Sequence, residues 1–169
     1  MSMPAYATIP APVVDHLVGA TREVFETMVL ASLSTDTPID GDALRPRSNV
    51  VGTVSFAGSE RGLVAFYSTM ECARAIAGAL IGGPVDLEDE IADAIGEITN
   101  MIAGTFRNRM AGNGAAWAIS IPTVTLGSDF YTRYVSNVQR ILCPFRMEHH
   151  EIFVELIIMC GGQPHASTH

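Results

Sequence analysis

The stretch IADAIGEITNMIAGTF, residues 91–106, decides how this chain folds, because its large apolar and its polar residues separate at a helical spacing. At roughly 100° per residue, one narrow stripe collects five large apolar side chains: Ile91, Ile95, Ile98, Ile102 and Phe106. The opposite side collects five other residues: Asp93, Glu97, Asn100, Gly104 and Arg107. We therefore predict a helix whose apolar stripe faces the core and whose other side forms an outward ridge.

The ends of this helix carry their own signals. Glu88, Asp89 and Glu90 place negative charge where the helix dipole favours it, so we expect the helix to begin near Leu87. The sequence Ala-Gly-Asn-Gly after Met110 ends it.

The rest of the chain predicts one more helix before this one, a hairpin, a shorter helix and three final strands. In chain order these are a helix over Val13 to about Ala31, a break at STDTPIDGD (34–42), strands at Val50–Phe56 and Leu63–Tyr67, a helix over about Met70–Leu80 capped by Ser68-Thr69, and strands at Ala116–Leu126, Tyr134–Phe145 and Ile152–Met159. Pro122 would mark an edge or a bulge in the first of the last three strands.

This order predicts an α+β fold: a mostly antiparallel sheet with a long N-terminal helix and a central helix pair, not an alternating nucleotide-binding fold. With 169 residues and no linker, we expect one domain, ordered over about residues 10–160, with a flexible tail at 161–169.

Composition excludes some classes of function. The net charge is −8 and no run of Lys or Arg occurs, which argues against nucleic-acid binding. No signal-peptide pattern and no apolar run near the roughly 20 residues of a membrane helix are present, so we expect no membrane association. Charged residues are 17%, below the usual level of about 25%, which leaves open a large core or a surface covered by another subunit.

Neither the cysteines nor the histidines predict a metal site. Cys72, Cys143 and Cys160 are an odd set without CxxC spacing, typical of free thiols in a reducing cytoplasm. In the segment MEHHE (147–151), adjacent histidines on a strand would point to opposite faces, so we predict a polar turn between the last two strands.

The spacing of Glu97 and Asn100 has two interpretations. The pair could be an ordinary solvated helix face, or a functional pair one helical turn apart. Gly104, one turn further on, also has two interpretations: it has no functional role, or it allows another molecule to come close.

A resemblance favours the functional interpretation. The segment D-A-x-x-E-x-x-N-x-x-x-G, Asp93 to Gly104, resembles the signature helix of the CheX/CheC/FliY phosphatases of bacterial chemotaxis. The predicted order of elements resembles that family over about residues 10–160.

The resemblance implies hydrolysis of the phospho-aspartate on a CheY-like response regulator. Asn100 would orient the attacking water, and Glu97 would pair with the receiver's active-site lysine. We expect the other ridge residues, Asp93, Gly104 and Arg107, to contact the partner. No cofactor would be bound by this chain, since the Mg²⁺ would belong to the receiver domain.

The resemblance also implies a single site and a homodimer. Some relatives repeat E-x-x-N on the first helix, but here Glu23-Val24-Phe25-Glu26 has glutamate in the amide position, where it would repel a phosphoryl group. One site per chain is the CheX arrangement, and CheX-like proteins are homodimers. Two alternatives are a receiver-binding module without catalysis and a structural component of a signalling or motor assembly.

Overall fold

The computed structural model describes residues 8–135 and 137–160. Its helical segments are α1 (Ala11–Val24), a π-helical turn (Phe25–Val29), α2 (Met70–Ile81) and α3 (Glu88–Ala111). Its strands are β1 (Ser34–Thr35), β2 (Ile39–Asp40), β3 (Ser48–Gly58), β4 (Arg61–Ser68), β5 (Trp117–Ile119), β6 (Thr123–Phe130), β7 (Val138–Met147) and β8 (His150–Met159).

The strands form one sheet in the order β1-β7-β8-β4-β3-β5, with β2 also on β7 and β6 also on β3. All of these pairs are antiparallel. The predicted α+β class with a mostly antiparallel sheet is therefore confirmed.

The helices pack on one face of the sheet because alternate strand residues are apolar on that face. In β3, Val50, Val54 and Phe56 join the main core beneath the helices, whereas Val51 joins a smaller cluster on the other face. The second face is covered only in part, since in β3 Val51 is buried there whereas Ser55 and Ala57 are exposed.

Elements that depend on local signals lie where the sequence predicts them. The side chain of Thr69 accepts a hydrogen bond from the backbone N–H of Cys72, which caps α2. Leu87 precedes α3, and Gly82 ends α2 with a left-handed backbone.

Several predicted boundaries were wrong. The predicted strand Tyr134–Phe145 begins later, at Val138, and ends at Met147. The first helix begins at Ala11, because Pro10 and Pro12 suit a helix N-terminus, and its regular part ends at Val24. The segment 34–42 contains two short strands, since Ser34–Thr35 and Ile39–Asp40 pair with β7.

The predicted strand Ala116–Leu126 is two strands, β5 and β6, with Pro122 in the interruption. Ser120 holds the chain at this break: its N–H donates to the Ser55 carbonyl at 2.8 Å, and its hydroxyl oxygen accepts from the Ser55 N–H at 3.0 Å. The Ser120 hydroxyl oxygen thus replaces a backbone carbonyl as the acceptor where the strand pairing is interrupted. Pro122, two residues later, has no N–H to donate to a neighbouring strand.

The predicted turn between the last two strands is confirmed, but the prediction that the two adjacent histidines point to opposite faces was wrong. His149 lies in the turn and not on a strand, and its ring centroid is 4.0 Å from that of His150. The left-handed backbone of Glu148, φ 54°, redirects the chain so that the two rings lie side by side.

None of the described helices is both long enough and apolar enough to cross a membrane. The predicted flexible tail, 161–169, lies outside the described residues.

Candidate active site

Helix α3 carries the candidate site and is firmly seated on the sheet. Its five stripe residues are 0–1% exposed: Ile91, Ile95, Ile98, Ile102 and Phe106. Thr99 is fully buried, and its hydroxyl donates to the Ile95 carbonyl at 2.7 Å. Because the stripe and Thr99 pack inward, the orientation of the opposite side of α3 is fixed.

The outer ridge of α3 comprises the five residues predicted to face outward: Asp93, Glu97, Asn100, Gly104 and Arg107. Asp93 and Glu97 are exposed, and the other three are partly exposed. The sequence therefore predicted correctly which side of the helix each residue occupies.

The two central side chains of the ridge are free of partners within the described chain. Among the residues that the structure describes, the side-chain hydrogen bonds of α3 come from Thr99, Arg107 and Arg109, and none reaches Glu97 or Asn100. A carboxylate and an amide that stand outward without internal partners can offer their full hydrogen-bonding capacity to another molecule.

Gly104 has no internal packing reason to be glycine. A Cβ placed on Gly104 would have no heavy atom within 4 Å, in contrast to Gly96, where the nearest would be Val124 Cγ2 at 3.4 Å. The ridge therefore has a position without a side chain one turn beyond Asn100, where another molecule can approach the helix backbone.

The corresponding segment of the first helix is arranged differently. Arg109 Nη2 of α3 lies 2.8 Å from Glu23 Oε2 of α1, so Glu23 is already ion-paired. The guanidinium group lies against Gly19, where a Cβ would be 2.6 Å from Nη1. The regular helix ends at Val24, inside the segment Glu23–Glu26. Glu23 is thus engaged within the chain, and one site per chain stays a prediction.

The outer ridge offers few metal ligands, with only the carboxylates of Asp93 and Glu97. Among the described residues, a group of three side chains that could bind a metal ion lies elsewhere, at Glu71, His149 and His150.

A buried polar cluster on the other side of the sheet was not predicted. Glu155 of β8 is 0% exposed, accepts a hydrogen bond from the Tyr67 hydroxyl at 2.6 Å, and pairs with Arg140 Nε at 2.5 Å. Burial, together with the Glu155 charge, raises the pKa of Tyr67 far above its usual range. The signal for this cluster was an acid within the apolar run Phe153–Met159.

A family model described as "Chemotaxis phosphatase CheX" matches residues 50–146, more than half of the chain and all of α3. The chain is 27% identical over 155 residues to the CheY-P phosphatase CheX of Thermotoga maritima, covering 90% of this chain and 99% of that protein.

Solved structures show the same likeness. The crystal structure of a chemotaxis protein CheX from Desulfovibrio desulfuricans superposes with a TM-score of 0.82 at 27% identity, covering 87% of this chain and 99% of that one. The CheX of a CheX–CheY–BeF₃–Mg²⁺ complex from Borrelia burgdorferi has the same fold, with a TM-score of 0.73 at 22% identity and coverage of 88% and 98%.

Proposed function

The chain belongs to the CheX family of chemotaxis phosphatases, and from that membership we propose that it hydrolyses the phospho-aspartate of a CheY-like response regulator. The observation that carries the proposal is the position of Glu97 and Asn100. They stand one turn apart on the outward side of a rigidly seated helix, with no partner in the described chain.

Asn100 is the group that acts on the attacking water. An acyl phosphate is already labile, so holding a water in line with it and stabilising charge is most of the catalytic task. A carboxamide can accept from the water and donate to it, and it adds no negative charge beside the phosphoryl group. Asn100 is partly exposed on the outer ridge and can therefore enter a receiver's active site.

Glu97 sets the docking geometry. Its carboxylate is exposed and would form a charge-assisted hydrogen bond with the lysine of the receiver's active site. Asp93, Gly104 and Arg107 extend the contact along the outer ridge. The Mg²⁺ needed for the phosphorylated state would be held by the receiver, and the Borrelia burgdorferi complex contains both CheY and Mg²⁺.

The experiment is phosphate release from a phosphorylated receiver under single-turnover conditions. We expect Asn100→Ala to slow hydrolysis about 10²-fold or more while receiver binding persists, as when one positioning donor is removed. Glu97→Ala should instead weaken binding. Asn137→Ala and Glu88→Gln, which change exposed residues away from the ridge, are the matched controls.

A non-catalytic receiver-binding module is the second candidate. It predicts a complex that forms with wild type and with Asn100→Ala, and no added phosphate release by either. Equal hydrolysis by wild type and Asn100→Ala would remove the role proposed for the amide. A structural part of a signalling or motor assembly would leave changes at Glu97 and Asn100 without effect.

We also propose that the protein is a homodimer that acts in the cytoplasm. The low content of charged residues and large exposed apolar residues such as Ile121 (84%) and Val135 (94%) support association. Sedimentation velocity across a range of concentrations tests this, and a monomer at all of them would contradict it.

A further inference from the structure

Three potential metal ligands converge at a place distant in sequence from the E-x-x-N segment. Glu71 lies in the first turn of α2, and His149 and His150 lie in and just after the β7–β8 turn. One ligand atom from each side chain lies within 4.8 Å of the other two. The fold thus joins two elements that are nearly eighty positions apart in the chain.

The separations suit a shared cation better than direct contacts. His149 Nε2 lies 3.6 Å from Glu71 Oε1, which is too long for a good hydrogen bond. Two ligands at about 2.0–2.1 Å from one tetrahedral ion are about 3.4 Å apart. A small rotation of exposed side chains would close the remaining gap, since those of His149 and Glu71 are 71% and 77% exposed.

We propose that Glu71, His149 and His150 bind a divalent transition metal of the zinc class. Two imidazoles and one carboxylate are a donor set typical of Zn²⁺, with a water in the fourth position. The metal would join the N-terminus of α2 to the β7–β8 turn.

The three proposed ligands differ in how firmly the protein holds them, and neighbouring charges affect the binding of a cation. His150 is 8% exposed and gives the site one fixed ligand, whereas the other two must be ordered by the metal. The neighbouring groove, about 350 Å³, is lined by Arg74 and Asp86 among others. The Asp86 carboxylate offsets the Arg74 cation, so the local charge with Glu71 favours a divalent ion.

The test is Zn²⁺ binding to the full chain, measured by competition with a chromogenic chelator. Wild type should bind one Zn²⁺ per chain, and His149→Ala and Glu71→Gln should each weaken binding at least tenfold. Both changes are at exposed side chains, so folding is retained and circular dichroism can verify it.

Two variants control for the remaining histidines. His16→Ala and the double variant His165→Ala/His169→Ala should bind as wild type does. As a direct readout, ring NMR signals of His149 and His150 should shift on addition of one equivalent of Zn²⁺. No binding by wild type, equal binding by His149→Ala, or loss of binding only in the double variant would each overturn the proposal.

Discussion

Thr99 of α3 lies directly over Gly52 of β3, with no room between them for a side-chain carbon: a Cβ on Gly52 would overlap Oγ1 of Thr99 and approach Ile95 Cγ2 to 3.2 Å. Thr99 stands between Glu97 and Asn100 in the sequence. The missing side chain in the strand therefore sets how deeply the helix sits, and with it the position of the outer ridge.

We expect Gly52→Ala to lower the free energy of unfolding by about 1–3 kcal/mol, because an added carbon in a closely packed core forces the helix outward. Gly96→Ala is the control, since its new methyl would meet Val124 at an ordinary 3.4 Å. Urea unfolding measures both. A Gly52→Ala protein as stable as wild type would show that α3 is not seated by this contact.

A small substitution at Gly104 should raise stability, whereas a large one should weaken the interaction with the receiver. Gly104→Ala should stabilise the protein by about 0.5–1 kcal/mol, because alanine is the better helix former and the space is open. Gly104→Leu should raise the KM for a phosphorylated receiver severalfold by obstructing the ridge. Ala79→Leu, at an exposed position of α2, should leave KM unchanged.

The sequence predicts those features of the fold that depend on residues close together in the chain. The sidedness of α3 and the Thr69 cap are fixed by residues within a few positions of one another, so periodicity and capping rules predict them. The strands β1 and β2 have two residues each and exist only because β7 lies beside them, so no local pattern reveals them.

The candidate site shows the same limit. The sequence predicts that Glu97 and Asn100 share an outward face, but the ion pair between Glu23 and Arg109 depends on how α1 packs against α3. The proximity of His149 to Glu71 likewise depends on a backbone turn at Glu148 that the spacing of the two histidines does not encode.

Restoring the amide on the first helix should not create a second site. We expect Glu26→Asn in the Asn100→Ala background to raise phosphate release less than twofold, because Glu23 remains paired with Arg109 and the helix there is not regular. Glu26→Gln is the control for the lost charge. A tenfold recovery by Glu26→Asn would show that the first helix can dock a receiver.

Two of the three thiols should be inert in the native protein. Burial raises the pKa of the Cys72 and Cys143 thiols to about 12, so at pH 8 about one in 10⁴ is a thiolate. Ellman's reagent should modify one cysteine per folded chain, the partly exposed Cys160, and three in denaturant. Cys160→Ser should abolish the native reaction, and rapid modification of two or more thiols would contradict this.

The same shifts predict a loss of stability in alkali. An unfolded cysteine has a pKa of about 8.5, so between that pH and about 12 the unfolded chain loses protons that folded Cys72 and Cys143 keep. The free energy of unfolding is then highest below about pH 8.5 and falls as the pH rises. The chain contains no lysine, so urea midpoints at pH 8 and 10.5 report mainly on thiols and tyrosines.

Glu155 needs its partners in the fold, because its carboxylate is fully buried and contacts Tyr67 and Arg140. Arg140→Met should cost about 3–5 kcal/mol by leaving that charge without its cation, while Tyr67→Phe should cost about 1–3 kcal/mol through one lost donor.

An exposed ion pair provides the comparison for Arg140. Arg47 and Asp129 are 2.8 Å apart, with side chains 58% and 72% exposed, so Arg47→Met should lower the urea midpoint far less than Arg140→Met does. The double variant Arg140→Met/Glu155→Leu should regain much of the stability lost by Arg140→Met, because it removes the unpaired buried charge. A double variant no more stable than Arg140→Met would show that the cost arises from lost packing and not from the buried carboxylate.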